Sequence, residues 1–208
     1  LEKLIKKGAE AEVWLRSWMG IPAVYKVRKQ RRYMIQDLDE LLRRQRTVKE
    51  AKILVEARKA GIYTPTVYFV DLNNSTIIMQ YVKGNNMRKL LKEGINKPCF
   101  GLGRILATLH LAGIVHGDPT TSNFIISDSK IYAIDFGLSV HSSDIEDKAV
   151  DIHLVKEILS ADIPEMFDES FGLVKEGYAS VAGKDAEHII ERAKTIELRG
   201  RYAKGQWG

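Results

Sequence analysis

The sequence predicts an α+β fold in two lobes: an antiparallel sheet carrying one long helix, then a reduced, mainly helical half. Three patterns predict it. In the first eighty residues, short runs of β-formers come in pairs split by turn residues. One long helical periodicity lies between the pairs, and after Lys83 the apolar residues recur at helical intervals. A chain of 208 residues, 45% of them hydrophobic, has the material for a real core.

The elements follow in order. Residues 13–18 and 23–27 are β-rich and flank Met19-Gly20-Ile21-Pro22, a hairpin signal. A helix is expected over residues 37–60, where Leu38, Leu41, Leu42, Val48, Ile53 and Leu54 recur at helical spacing and Gly61 is the stop. Residues 67–72 and 76–82 form a second strand pair around Asn73-Asn74-Ser75, and Lys83-Gly84-Asn85-Asn86 breaks the last strand. The division expected is therefore residues 1–82 and residues 83–208. The second part should open on a short helix, 87–92, and a longer one, 100–112, with Leu102, Ile105, Leu106 and Leu109 on one face. Further helices are expected at 144–159, 164–176 and 185–197.

Composition narrows the classes. Cys99 is the only cysteine, so there is no disulfide framework and no cysteine zinc site, which points to a reducing, cytoplasmic setting. No apolar run approaches a membrane span. Net charge is +5, yet residues 26–59 hold twelve Lys or Arg against five Asp or Glu. A solvated helix face is the default for such a run, and a polyanionic partner such as RNA is the sharper reading.

The chemistry-bearing string is His116-Gly117-Asp118, then Asn123 five residues after Asp118, then Asp135-Phe136-Gly137. Protein kinases write H-R-D-x-x-x-x-N and D-F-G in this order. Phosphoryl transfer needs little covalent help, so the protein supplies charge and positioning. Asp118 is expected to take or orient the nucleophile's proton. Asn123 and Asp135 are the expected Mg²⁺ ligands, with oxygen donors suited to a hard cation. Asp135 ends a short apolar run, 131–134, as the last strand of a small hairpin would. His116 should orient this loop by hydrogen bonding. Asp151 should either anchor the loop or cap its own helix, and His110, His141, His153 and His188, without companions at metal-ligand spacing, are read as ordinary.

The first half supplies the nucleotide side. Laid on G-x-G-x-x-G-x-V, the run Lys6-Lys7-Gly8-Ala9-Glu10-Ala11-Glu12-Val13 keeps Gly8 and Val13 and replaces the outer glycines with Lys6 and Ala11. Ala23-Val24-Tyr25-Lys26 resembles V-A-I-K, with Glu50 the preferred partner of Lys26 and Glu40 the alternative. Met79-Gln80-Tyr81-Val82 lies where backbone groups would meet adenine.

Together these residues resemble the p53-related protein kinase family, the small atypical kinase and ATPase subunit of the KEOPS complex. The likeness covers nearly the whole chain. It is carried by Gly8-Ala9-Glu10-Ala11, by the helix from Leu41 to Ala51 with its Arg46-Thr47-Val48-Lys49-Glu50, by the string from His116 to Asn123, by Asp135-Phe136-Gly137-Leu138-Ser139, and by the basic end from Arg199 to Gly205. The resemblance implies a minimal bilobal protein-kinase-like fold, use of ATP and Mg²⁺, and autophosphorylation on serine or threonine. It also implies a cytoplasmic, archaeal-type role in threonylcarbamoyladenosine modification of tRNA. The partners would be the tRNA-threonylcarbamoyl transferase subunit and other KEOPS subunits, with Arg199, Arg201 and Lys204 reaching tRNA.

Three departures from ordinary protein kinases shape the expectation. Gly117 replaces the arginine that would gather an activation-loop phosphate, so activity should not need one. Thr120 stands where many such enzymes place a lysine on the γ-phosphate, which predicts slow transfer. No A-P-E segment stands in a usable place, since Ile163-Pro164-Glu165 follows Asp151, so ATP hydrolysis or self-modification is favoured over broad peptide phosphorylation. The competing readings are a small-molecule phosphotransferase of aminoglycoside or choline type and a non-catalytic, kinase-shaped RNA-binding scaffold.

Overall fold

The computed structural model of the chain describes residues 2–31 and 34–205, with side chains as far as Arg199. Strands β1 (Glu2–Lys7), β2 (Ala11–Trp18) and β3 (Ile21–Arg28) lead to helix α1 (Gln36–Lys59), followed by β4 (Val67–Asp71) and β5 (Thr76–Gln80). The five strands form one antiparallel sheet in the order β1-β2-β3-β5-β4. The β2–β3 loop has two residues, Met19 and Gly20, both at positive φ (48° and 87°), as a tight hairpin turn matched to strand twist requires. Pro22 is tolerated in β3 because pairing with β5 begins only at Ala23.

Helix α1 ends as its glycine predicts. Gly61 (φ 94°) donates its N–H to the Arg58 carbonyl, and Ile62 donates to the Ala57 carbonyl, so two of the helix's last carbonyls are satisfied. Its buried face departs from the sequence expectation. Leu38, Leu41 and Val48 are exposed, whereas Asp39, Thr47, Glu50, Ile53 and Leu54 are buried. Charge pairing rather than apolar content sets the rotation of the helix's first half.

The second half contains β6 (Asn85–Asn86), α2 (Met87–Lys92), α3 (Pro98–Leu111), β7 (Ile114–Val115), a 3₁₀ turn (Thr121–Asn123), β8 (Phe124–Ser127), β9 (Lys130–Ala133) and β10 (Val140–His141). Helices α4 (Ile145–Asp162), α5 (Phe167–Ala182) and α6 (Asp185–Gly205) complete it. β8 and β9 are the expected small hairpin, turning at Asp128 and Ser129, both at positive φ. Its core joins Leu102, Leu106 and Leu109 of α3 to Ile152, Val155 and Leu159 of α4 and to Val174 and Tyr178 of α5. Among the described residues no helix is long and apolar enough to cross a membrane.

Several expected boundaries move. β1 is not among the expected strands, because EKLIKK is an exposed edge strand with no apolar alternation. The strand expected to reach residue 82 stops at Gln80. The helix expected from 164 is a 3₁₀ turn, Pro164–Met166, followed by α5, and the one expected to stop at 197 continues to Gly205.

α3 and α5 cross with almost no side chain between them. A Cβ on Gly103 would lie 2.0 Å from the Val174 carbonyl oxygen, and one on Gly177 would lie 2.0 Å from that of Phe100. Alanine at 177 should therefore destabilise the fold by about 1–3 kcal/mol through overpacking, although helix propensity alone favours it by about 1 kcal/mol. Urea unfolding of Gly177→Ala checks the sign, and an unchanged or raised midpoint would show that the helices separate freely.

Candidate active site

Alternation along β3 puts Lys26 and Arg28 on one face, and both meet the buried Glu50 of α1. Lys26 Nζ lies 2.5 Å from Glu50 Oε1, and Arg28 Nη2 lies 2.6 Å from Oε2. The same ammonium reaches Asp135 Oδ1 at 2.6 Å, and that oxygen also accepts the Gly137 N–H at 3.0 Å. Burial pulls the Lys26 pKa down, but Glu50 and Asp135 outweigh it and leave it raised. Burial likewise pushes Asp135 up, yet the Lys26 charge and hydrogen bond hold it below the usual carboxylate value. Glu40, the alternative partner, instead pairs with Arg44 at 3.4 Å on the exposed face of α1. Arg28 was missed by sequence reasoning, and the signal was its position two residues after Lys26.

The loop between β7 and β8 is held by its backbone. Asp151 accepts the His116 N–H at 2.7 Å and the Gly117 N–H at 2.8 Å, and it sits in the middle of α4. Asp151 therefore anchors the loop; the capping alternative is corrected, because Asp144 caps that helix by accepting the Glu146 N–H. Gly117 has φ 77°, and a Cβ there would lie 2.5 Å from the Leu138 carbonyl oxygen, so no side chain fits. Asn123 Nδ2 donates to the Asp118 carbonyl at 2.9 Å and to Asp118 Oδ2 at 3.0 Å. His116 packs against Phe136 and Phe124, with ring centroids 5.1 and 5.6 Å away, and its Nδ1 accepts the Asp118 N–H at 3.3 Å. Burial pushes its pKa down against the nearby carboxylates. The neutral ring orients the loop.

His110 is not an ordinary residue. Its Nε2 lies 3.1 Å from Asp151 Oδ2 and its Nδ1 2.8 Å from the Tyr178 hydroxyl. A carboxylate only accepts, so Nε2 carries a proton toward Asp151, while Nδ1 and the Tyr178 hydroxyl share the second hydrogen bond; burial raises the pKa of that phenol. A buried chain thus runs from α5 through α3 and α4 to the loop. Isolated histidines carry no such signal in sequence, because their partners lie 41 and 68 positions away.

Lys26, Asn123 and Asp135 line a cleft of about 430 Å³, walled by Val13, Val24, Met79, Ile125 and Ile134 and also bordered by Gln80, Tyr81 and Val82. An adjoining chamber of about 320 Å³ is lined by the turn from Gly8 to Ala11 together with Arg28, Asp118 and Gly137. Lys6, Val13, Lys26 and Asp135 border both. Burial raises the pKa of Asp118, with Asp135 adding to the effect and Asn123 opposing it. The Gly8 amide is taken up within its own turn, donating to the Ala11 carbonyl at 2.9 Å. The Glu10 carboxylate is drawn to Arg46 at 3.0 Å and to Arg31.

Much of the basic segment is internally paired. Arg28 meets Glu50, Arg31 and Arg46 meet Glu10, and Arg43 meets the buried Asp39, whose pKa that hydrogen bond lowers. For these four arginines the default of a solvated face does not hold. Arg199 is exposed, 3.5 Å from Glu146, while the side chains of Arg201 and Lys204 lie outside the described residues.

A divalent cation fits the donors present. Asp135 offers a carboxylate and Asn123 an amide oxygen whose Nδ2 is already committed to Asp118, both at the cleft wall. Two oxygen donors leave further positions for water and phosphate, as Mg²⁺ prefers. No group of three or more His, Cys, Asp or Glu that could hold a metal ion occurs among the described residues, so the protein's share of the coordination would be this carboxylate and amide pair.

The model of the RIO domain matches residues 23–169. The KEOPS complex subunit Bud32 of Pyrococcus abyssi is 40% identical over 216 positions, which cover 99% of this chain and 98% of that protein. A probable bifunctional tRNA threonylcarbamoyladenosine biosynthesis protein of Methanobrevibacter smithii is 39% identical over 97% of this chain, which spans 37% of that longer protein. Among solved structures, the Rio2 kinase–ADP/Mg²⁺–phosphoaspartate complex from Chaetomium thermophilum superposes with a TM-score of 0.60 at 16% identity, covering 94% of this chain and 70% of that one. At that identity the likeness is one of fold.

Removing the Glu50 carboxylate would take the close partner from the buried Arg28 and leave the buried Lys26 with Asp135 alone. Glu50→Ala should cost about 3–5 kcal/mol, whereas Glu40→Ala, which breaks an exposed pair, should cost about 0–1 kcal/mol. Chemical denaturation of both variants checks the contrast, and equal losses would show that Glu50 is not the anchor.

Proposed function

We propose, on the premise that this chain belongs to the RIO domain family and within it to the Bud32 relatives, that it is an ATP- and Mg²⁺-dependent atypical serine/threonine kinase and ATPase supporting tRNA modification. One observation carries the reading: a cleft in which Lys26, paired to Glu50 and Asp135, faces Asp118 and Asn123 across two adjoining chambers. A buried lysine, two carboxylates and an amide gathered around a space of that size suit a nucleotide and its phosphates.

In this reading the apolar walls take the adenine ring, with backbone groups of residues 79–82 at its edge, and Lys26 holds the α- and β-phosphates. Asp135 and Asn123 hold Mg²⁺, which neutralises phosphate charge when bound. The attacking oxygen belongs to water or to a serine or threonine hydroxyl of the chain itself. Its bond to the γ-phosphorus forms as the bond to the bridging oxygen breaks. The electron pair leaves with ADP, and Asp118 accepts the proton. Asn123 fixes the Asp118 carboxylate for that task through the 3.0 Å hydrogen bond.

The names of the relatives motivate the wider role. The chain would act in the cytoplasm beside a tRNA-threonylcarbamoyl transferase subunit and other KEOPS subunits, with Arg199, Arg201 and Lys204 contacting tRNA. A chain ended at Leu198 should bind tRNA more weakly, its salt dependence shallower by about 0.7 in log–log slope for every RNA phosphate that the tail no longer neutralises, with ATP affinity unchanged. Equal tRNA affinity would sink the tail assignment.

The central test follows γ-labelled ATP into free phosphate and protein-bound label, with and without partner subunits and tRNA. Asp135→Asn should abolish both products; turnover indifferent to that change would not arise at this site and would leave the chain to the scaffold reading. Stimulation by small alcohols or aminoglycosides would favour the small-molecule phosphotransferase. The pH profile adds a sign. Asp118 must be ionised to accept a proton, and burial raises its pKa. Turnover should therefore fall with decreasing pH, and the fall should set in at a higher pH than an ordinary aspartate would give. Asp118→Asn should lose about 10²–10⁴-fold in rate and remove that acid limb.

A further inference from the structure

The loop from His116 to Asn123 contains no lysine or arginine. A γ-phosphoryl group in transfer carries negative charge that a nearby cation must meet. Lys26 is already committed to Glu50 and Asp135, and Arg28 to Glu50. A third cation borders both chambers. Lys6, on the edge strand β1, lines the nucleotide cleft and also the chamber that holds Asp118 and Gly137.

Its direction comes from a break in strand register. Leu4 pairs with Trp14, but Lys6 pairs with Val13, so Ile5 is an extra residue in β1. In uninterrupted pairing Lys6 would oppose Glu12, on the other face of the sheet. A bulge of this kind re-aims a side chain. Val13 in turn pairs with Lys26 across β2 and β3. Directly opposed residues share a face, so Lys6, Val13 and Lys26 form one cross-strand row over the cleft. Two strand spacings separate the lysine backbones, roughly 10 Å, a span suited to two points along a triphosphate. Among the described residues no carboxylate forms an ion pair with Lys6, and its charge is among those felt by Asp118.

We propose that Lys6 is a second phosphate-binding, catalytic lysine, delivered from the bulged edge strand β1, that holds the transferred γ-phosphoryl in place of a cation the catalytic loop lacks. The inference rests on the phosphoryl-transfer reading above. As the β–γ bridging bond breaks and the new bond to the acceptor oxygen forms, the Lys6 ammonium stabilises the non-bridging oxygens without giving up a proton.

The test compares the parent, Lys6→Met, Lys6→Arg, Lys6→Met with Thr120→Lys, and Asp135→Asn. It measures kcat for ATP turnover and, separately, the dissociation constants of ATP and ADP with Mg²⁺ by calorimetry. Lys6→Met should lower kcat about 10²–10³-fold and weaken ATP about tenfold or more while leaving ADP affinity unchanged. Lys6→Arg should keep most of both, and Thr120→Lys should restore part of the loss by returning a cation to the loop. A Lys6→Met protein with parental kcat and a parental ratio of ATP to ADP affinity overturns the proposal, while loss of turnover in Asp135→Asn then leaves the kinase reading standing. Full turnover in Asp135→Asn brings down the kinase reading itself, and this proposal with it.

Discussion

Glu50 is the group on which the rest of the site depends. A carboxylate buried to 1% exposure is tolerable only if its charge is answered, and here two cations answer it, one on each oxygen. Both lie on β3, so the pairing fixes α1 to the sheet in translation and in rotation. It also explains why Leu38, Leu41 and Val48 remain in solvent: the helix turns to satisfy its acids before its leucines. Through Lys26 the same network reaches Asp135, so the sheet and the helical half are joined by an ion pair located at the site itself.

A second buried carboxylate does comparable work from below. Asp151 is fully buried and accepts two successive backbone amides of the loop, so the position of Asp118 is set by main chain, which has few ways to relax. His110 and Tyr178 hold that carboxylate in turn. Because Gly117 has no room for a side chain against Leu138, the loop has one way to sit. The positional order of the site is thus built from the buried hydrogen bonds that Asp151, His110 and Tyr178 make with one another and with the loop backbone.

What was legible in the sequence and what was not divides along sequence distance. His116, Asp118, Asn123 and Asp135 could be read because their spacing is local, and a catalytic loop, a hairpin and a turn leave the same intervals wherever they occur. The Met19-Gly20 hairpin and the Gly61 helix stop were legible for the same reason, since backbone conformation there is decided by one or two residues. Arg28, His110 and Tyr178 were not, because their roles come from partners brought together by tertiary packing. β1 escaped notice because an edge strand in solvent needs no apolar alternation, and the basic stretch was misjudged because Glu10, which neutralises part of it, lies on another element.

The crossing of α3 and α5 bears on how such a molecule can vary. Gly103 and Gly177 carry no chemistry, yet they set the distance between two helices that must be close for Tyr178 to reach His110. The constraint there is on absence: each position must hold nothing. A comparison of chains guided by functional groups alone would pass over both sites, although the placement of the loop traces back to them.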